Sequence, residues 1–234
     1  MEFPFKTKIC GVTTPDDAIM VASSGADAIG LNFFSAGKRY IKPERAKIVV
    51  DAVVETHSEF VVVGVFVNEP AEAILEIVKT VRLMTVQLHG DEEPDLVPAL
   101  KKLASAAGLD FDIIRAIRTS PRSETEALDL PSVTAEAQKW VDAGVDALLI
   151  DAATPDEYGG TGKQVDWEGF SKIKIGVPLL LAGGLTPENV ADAISVARPF
   201  GVDVASGVES SPGQKDRDKT FAFVKTAEEL LSVQ

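Results

Sequence analysis

Soft metal ligands are scarce in this 234-residue chain: it has one cysteine, Cys10, and only two histidines, His57 and His89, far apart. One thiol excludes an internal disulfide, and the set is too small for a structural zinc site, so no metal is expected. Positive charge is scarce too. With 23 Lys and Arg against 36 Asp and Glu, the net charge is -13, and the chain as a whole repels nucleic acid and anionic membrane. Any anionic ligand must therefore be held by a local cluster of amides and cations. No apolar run approaches the roughly 18 residues that cross a bilayer, and Met1 to Phe5 lacks the basic and apolar regions of a signal peptide. The expectation is a cytoplasmic protein with no nucleic-acid or membrane partner, either monomer or homodimer. What is present is 45% hydrophobic and 25% charged residues, enough to bury a sizeable core, and residues 1–234 read as one domain.

Short β-rich runs alternate with amphipathic stretches, and no low-complexity linker interrupts them. The expected strands are Thr7 to Cys10, Ala28 to Phe33, Val61 to Phe66, Thr85 to Leu88, Asp112 to Ile117, Ala147 to Asp151, Pro178 to Leu181 and Val202 to Ala205. Most are nearly continuous apolar runs, as in a parallel sheet covered on both faces. Thr14-Pro15-Asp16-Asp17 supplies a cap, a first-turn proline and acids near the positive end of a helix dipole, and Thr186-Pro187-Glu188 repeats the device. Lys42-Pro43-Glu44 and Glu69-Pro70-Ala71 start two more helices. Thr119 to Pro131 is polar with two prolines, so a loop is expected there and a helix from near Ser132. Eight such cycles predict an α/β fold of parallel strands closed into a (β/α)8 TIM barrel, with an open doubly wound sheet as the alternative.

In that barrel the C-terminal strand ends face one another across the site, so Cys10 and Asp151, which end the first and sixth strands, could place an acid and a base on opposite sides of one small substrate. The seventh strand runs into Ala182-Gly183-Gly184-Leu185 and the eighth into Ser206-Gly207-Val208-Glu209. Glycine there can simply permit a tight turn, but two such turns in this order are where the barrel usually grips phosphate, through Gly183, Gly184, Ser206 and Gly207. Gly159-Gly160-Thr161-Gly162-Lys163 is neither a Walker loop, since no Ser or Thr follows Lys163 and position 157 is Glu157, nor a dinucleotide fingerprint, since position 165 is Val165. It reads as a lid over the substrate.

Lys8-Ile9-Cys10-Gly11, Gln87-Leu88-His89-Gly90, Asp151 with the Gly159 to Gly162 loop, Ala182-Gly183-Gly184-Leu185 and Ser206-Gly207-Val208-Glu209 occur in order. Together they resemble the phosphoribosylanthranilate isomerase family, from about Lys8 to Lys225. The resemblance implies a cofactor-free enzyme of tryptophan biosynthesis that converts N-(5-phosphoribosyl)anthranilate to 1-(2-carboxyphenylamino)-1-deoxyribulose 5-phosphate, a phosphosugar-anthranilate substrate. It implies Asp151 as the general acid at the ring oxygen and Cys10 as the base at C2′. Two departures stand out: Ala205 replaces a usual second serine, and Ser35-Ala36-Gly37-Lys38-Arg39-Tyr40 replaces a Ser-Pro-Arg segment.

Such an acid needs a raised pKa, which desolvation could supply, whereas the thiol needs a nearby cation. Lys8, two residues before Cys10 and on its face of the strand, is the candidate. Arg39 could take the anthranilate carboxylate by a two-point contact. Gln87 and His89 leave the fourth strand on one side and are expected to line the pocket, His89 as a positioning residue. Asp203 is placed to touch a substrate hydroxyl, and His57 is expected to be solvated and silent. A related isomerase of histidine biosynthesis would use two aspartates, against which Cys10 argues. A binding barrel without activity would be expected to lose the acid, the base or Arg39.

Overall fold

A strand that is apolar at almost every position is stable only where both faces are covered, and this chain achieves that by closing its strands into a ring inside a layer of helices. The computed structural model describes residues 3–119, 128–152 and 165–233. Among these, β1 (Thr7–Cys10), β2 (Ala28–Asn32), β3 (Val61–Phe66), β4 (Thr85–Leu88), β5 (Asp112–Thr119), β6 (Ala147–Ala152), β7 (Leu179–Leu181) and β8 (Gly201–Val204) form a closed parallel barrel in sequence order. The ring closes where β1 pairs with β8, Lys8 opposite Asp203 and Ile9 opposite Val204. The helices are α1 (Pro15–Ser23), α2 (Pro43–Thr56), α3 (Ala71–Val81), α4 (Leu96–Ala106), α5 (Leu130–Ala143), α6 (Trp167–Phe170), α7 (Val190–Ala197) and α8 (Arg217–Leu231). This is the expected (β/α)8 architecture. None of the described helices is long and apolar enough to cross a membrane.

Strand parity divides the core. Ala28, Val61, Val63, Ile114, Ala116, Ala147, Leu149 and Leu180 pack with Phe5 as one cluster, which fills the N-terminal part of the barrel interior. Residues of the other parity, such as Ile9, Ile29, Val62, Ile113 and Ile150, join the helices in the larger cluster. Farther along the strands the inward positions turn polar, with Lys8 and Cys10 on β1, Gln87 on β4, Asp151 on β6 and Asp203 on β8.

Local chemistry sets the helix starts. Thr14 caps α1, its side chain accepting from Asp17 N at 3.2 Å, an interaction whose loss costs about 1 kcal/mol. Pro43 sits in the first turn of α2, and α3 follows Pro70. The Thr186 device does not start a helix. Thr186 Oγ1 accepts from Glu188 N and Asn189 Oδ1 accepts from Thr186 N, so the segment closes a turn and α7 begins only at Val190. Asp129 caps α5 through Ser132 N, which puts the helix start at Leu130, ahead of Ser132. Two short antiparallel strands were not expected: β9 (Glu209–Ser211) and β10 (Gln214–Lys215) form a hairpin between β8 and α8.

Candidate active site

The C-terminal ends of the strands enclose a pocket with about 670 Å³ of space, open on one side to solvent. Cys10, Arg39, Gln87, His89, Asp151 and Asp203 line it, together with Gly183, Gly184 and Ser206, so most of the expected site residues come together. Lys8 lies deeper, wholly buried, and Gly207 lies behind Leu185. The expected lid, Gly159, Gly160, Thr161 and Gly162, lies outside the described residues. His57 ends α2 beside Thr56 and Phe60 and does not line the pocket.

Cys10 has a bare neighbour. It is in register with Gly30 of β2, and a Cβ at Gly30 would come within 2.7 Å of the Cys10 sulfur. Lys8 lies on the same strand face, but its ammonium is 2.9 Å from the Asp203 carboxylate. Burial pulls the Lys8 ammonium down, yet the Asp203 and Cys10 charges outweigh it and hold it above its ordinary value. Lys8 does pull the Cys10 thiol down, as expected, but it does not set the net direction. Burial pushes the Cys10 thiol up by more than the Lys8 cation pulls it down, and Asp203 adds to the rise. Little thiolate is then present at neutral pH, but the thiolate that forms is a stronger base toward carbon. Lys8→Met is expected to push the thiol higher still. Alkylation rate against pH, readable because the chain has one cysteine, should show its midpoint moving to higher pH; a midpoint that stays or falls refutes the effect.

Asp151 is buried at the end of β6, with Oδ2 3.2 Å from His89 Nε2. His89 Nδ1 is in turn 2.8 Å from Gln87 Nε2. An amide nitrogen can only donate, so this contact leaves the ring proton on Nε2, facing the carboxylate. Gly183, at φ +85°, passes close by: a Cβ there would lie 2.6 Å from Ala152 N and 3.1 Å from Asp151 Oδ1. Gly184 follows at φ +65°, its carbonyl held by Asn189 Nδ2 at 2.9 Å. The turn after β8 is a 3-10 helix, Ser206–Val208, and a Cβ at Gly207 would fall 1.9 Å from Leu185 O. Glycine at 207 is what lets the two turns touch.

Arg39 lines the pocket but is already engaged. Its Nε and Nη2 donate to the two Glu209 oxygens at 2.8 and 2.7 Å, and its stem crosses Gly11, where a Cβ would lie 2.3 Å from Arg39 Cδ. Burial pushes the Glu209 carboxyl up, but Arg39 and Lys215 prevail and hold it below the usual carboxylate range. Lys215 Nζ donates to Glu209 Oε1 at 2.9 Å, Cys10 O at 2.6 Å and Ala205 O at 3.1 Å. Sequence reasoning missed Lys215 and the role of Glu209. The signal was the Pro212-Gly213 turn between them, a hairpin loop of two residues. It also missed Asn32, Val65 and Val67 in the pocket wall. Among the described residues no group of three His, Cys, Asp or Glu side chains is arranged to hold a metal ion.

The sequence model of one family, N-(5'-phosphoribosyl)anthranilate (PRA) isomerase, matches residues 7–226. The N-(5'-phosphoribosyl)anthranilate isomerase of Trichlorobacter lovleyi is 41% identical over 228 residues, covering 97% of this chain and 99% of that protein. The crystal structure of phosphoribosyl anthranilate isomerase from Thermotoga maritima aligns with a TM-score of 0.77 at 37% identity, over 97% of this chain and 100% of the other. A further structure of such an isomerase, in complex with reduced 1-(o-carboxyphenylamino)-1-deoxyribulose 5-phosphate, gives a TM-score of 0.74 at 36% identity and the same coverage.

Proposed function

Because the chain belongs to the N-(5'-phosphoribosyl)anthranilate isomerase family, we propose that it converts N-(5-phosphoribosyl)anthranilate to 1-(2-carboxyphenylamino)-1-deoxyribulose 5-phosphate, without a cofactor, in tryptophan biosynthesis. The observation that carries this reading is a single pocket lined by Cys10, Asp151, Arg39 and the turns after β7 and β8. It brings together an acid, a base, a cation and a backbone cradle for phosphate.

Asp151 protonates the ring oxygen, and the bond from C1′ to that oxygen breaks to leave a Schiff base. Cys10 removes the C2′ proton, and the electron pair moves toward nitrogen to give an enolamine. Ketonisation adds a proton at C1′ and removes the 2′-hydroxyl proton. Two protons arrive and two leave, so the rearrangement needs neither oxidant nor metal. His89, between Gln87 and Asp151, holds the acid in place, and Asp203 holds a substrate hydroxyl from beside Lys8. Gly183, Gly184 and Ser206 bind the phosphate by backbone N–H groups, with Gly207 packing the two turns together behind them, and a chain of charge -13 needs such a cradle because its overall field opposes an anion.

The test is loss of the anthranilate-adduct fluorescence when the protein is added to substrate; a steady signal with folded protein refutes the activity. The phosphate assignment has its own test. Gly184 has a positive φ that valine adopts only with strain, and a branched side chain there would screen the amides. Gly184→Val is expected to raise KM strongly, with a parallel loss of product affinity in a fluorescence titration. Unchanged affinity in a folded variant would place the phosphate elsewhere.

A further inference from the structure

Arg39 comes from the loop after β2, Glu209 and Lys215 from the two strands of the hairpin after β8, and their charges meet at one edge of the pocket. Two cations share one carboxylate. The group therefore carries a surplus positive charge beside the pocket of an acidic protein, and that surplus lies on Arg39, because Lys215 has directed its ammonium donors to Glu209 and to two main-chain carbonyls. Glu209 approaches the guanidinium side-on, through Nε and Nη2, which leaves the edge formed by Nη1 and the second Nη2 hydrogen for another carboxylate. A guanidinium can bind two carboxylates at once in this way, one along each edge.

The fixing of Arg39 is unusually thorough. Its stem lies across the bare backbone of Gly11, and Glu209 Oε1 also accepts from Gly213 N at 3.2 Å in the turn of the hairpin. That turn is anchored to the loop after β1, since Thr13 Oγ1 donates to Gly213 O at 2.7 Å. Lys215 does a second job. The ladder between β1 and β8 ends with Ile9 opposite Val204, and the carbonyls of the next residues, Cys10 and Ala205, both accept from the Lys215 ammonium. A side chain thus continues the closure of the ring one step past the last strand pair, at the residue carrying the thiol.

We infer that Glu209 and Lys215 are positioning residues for the aromatic carboxylate of the substrate: they lock the Arg39 guanidinium with its free edge toward the pocket and tie that lock to the strand end bearing Cys10. The inference rests on the isomerase reading and names the hardware of its specificity. A side chain with several rotatable bonds would otherwise have to be ordered on every binding event, and here that ordering is complete before the substrate arrives.

The experiment compares two ligands, the reduced product analogue and its counterpart lacking the ring carboxylate, titrated against the wild-type chain, Glu209→Gln and Lys215→Met. Glu209→Gln keeps the size but removes the charge that orients Arg39 and turns one of its two acceptors into a donor, so only one of the two Arg39 contacts can be kept. It should weaken the carboxylate ligand about tenfold or more, the range for a hydrogen bond to a charged group, while the carboxyl-free ligand changes little. Lys215→Met should lower the same selectivity and also move the midpoint of Cys10 alkylation to higher pH, since its cation helps to stabilise the thiolate. Equal losses for both ligands would mean a purely structural role and overturn the inference, as would unchanged selectivity. If Glu209→Gln does not fold, Glu209→Asp keeps the charge for Lys215 but is one methylene too short to hold both Arg39 contacts, and it is read by the same ratio. The failure of the underlying reading looks different: the wild-type chain would then neither turn over the substrate nor prefer the carboxylate ligand.

Discussion

Asp151→Asn is expected to lower kcat on the order of 10²-fold or more while leaving KM nearly unchanged, because the proposed mechanism begins with a proton from Asp151 that an amide cannot give. The substitution preserves shape at a buried strand end, and the amide oxygen still offers His89 Nε2 an acceptor. The barrel should therefore fold and bind. Steady-state kinetics combined with a titration of the reduced product analogue separates the two effects. Turnover near the wild-type rate would mean that the ring opens without this acid, and a large loss of affinity would mean that Asp151 holds the substrate instead of protonating it.

Cys10→Ala is expected to cost a similar factor, on the order of 10²-fold or more in kcat, for the opposite reason: the proton donor survives and the acceptor is gone. The sulfur lies against the bare backbone of Gly30, where a Cβ would come within 2.7 Å of it, so shortening the side chain by one atom introduces no clash. Cys10→Ser refines the test, because a hydroxyl is a far poorer proton acceptor in the same place. Its residual turnover should show a large isotope effect with substrate deuterated at C2′, as proton removal becomes limiting. Near wild-type turnover in Cys10→Ala would make the thiol a core residue and direct the search for the base to His89.

Where the sequence was legible, the cause was local. β1, β3 and β4 have the expected limits, β1 and β4 because Gly11 and His89 follow them directly, and Thr14 caps α1 because its proline and acids all favour one start. The same four-residue logic failed at Thr186. There Asn189 competes for Thr186 N, and a longer turn results. The proposed pair, Cys10 and Asp151, could be picked out from strand ends alone, whereas the environment of the thiol could not. Proximity of Lys8 was readable from a two-residue period, but Asp203 and the depth of burial, which reverse the expected direction, come from the other side of the ring closure. For Glu209 and Lys215 the turn that pairs them was readable, but their approach to Arg39 and Cys10 was not, for the same reason. Composition argues against burying a lysine, and nothing near position 39 indicates a partner far along the chain.

The ring closure between β1 and β8 also governs when catalysis can exist. In chain order the thiol lies on the first strand of the ring and the lysine that braces it follows the last, with Asp151 between them. A half-made or cleaved chain can build helices and much of an apolar interior, yet it holds the reacting groups on separate, unjoined pieces. Recovered turnover during refolding is thus a clock for the final long-range strand pairing and lags behind the return of helical signal. A phosphoribosylamine meets a working site only once the molecule is whole.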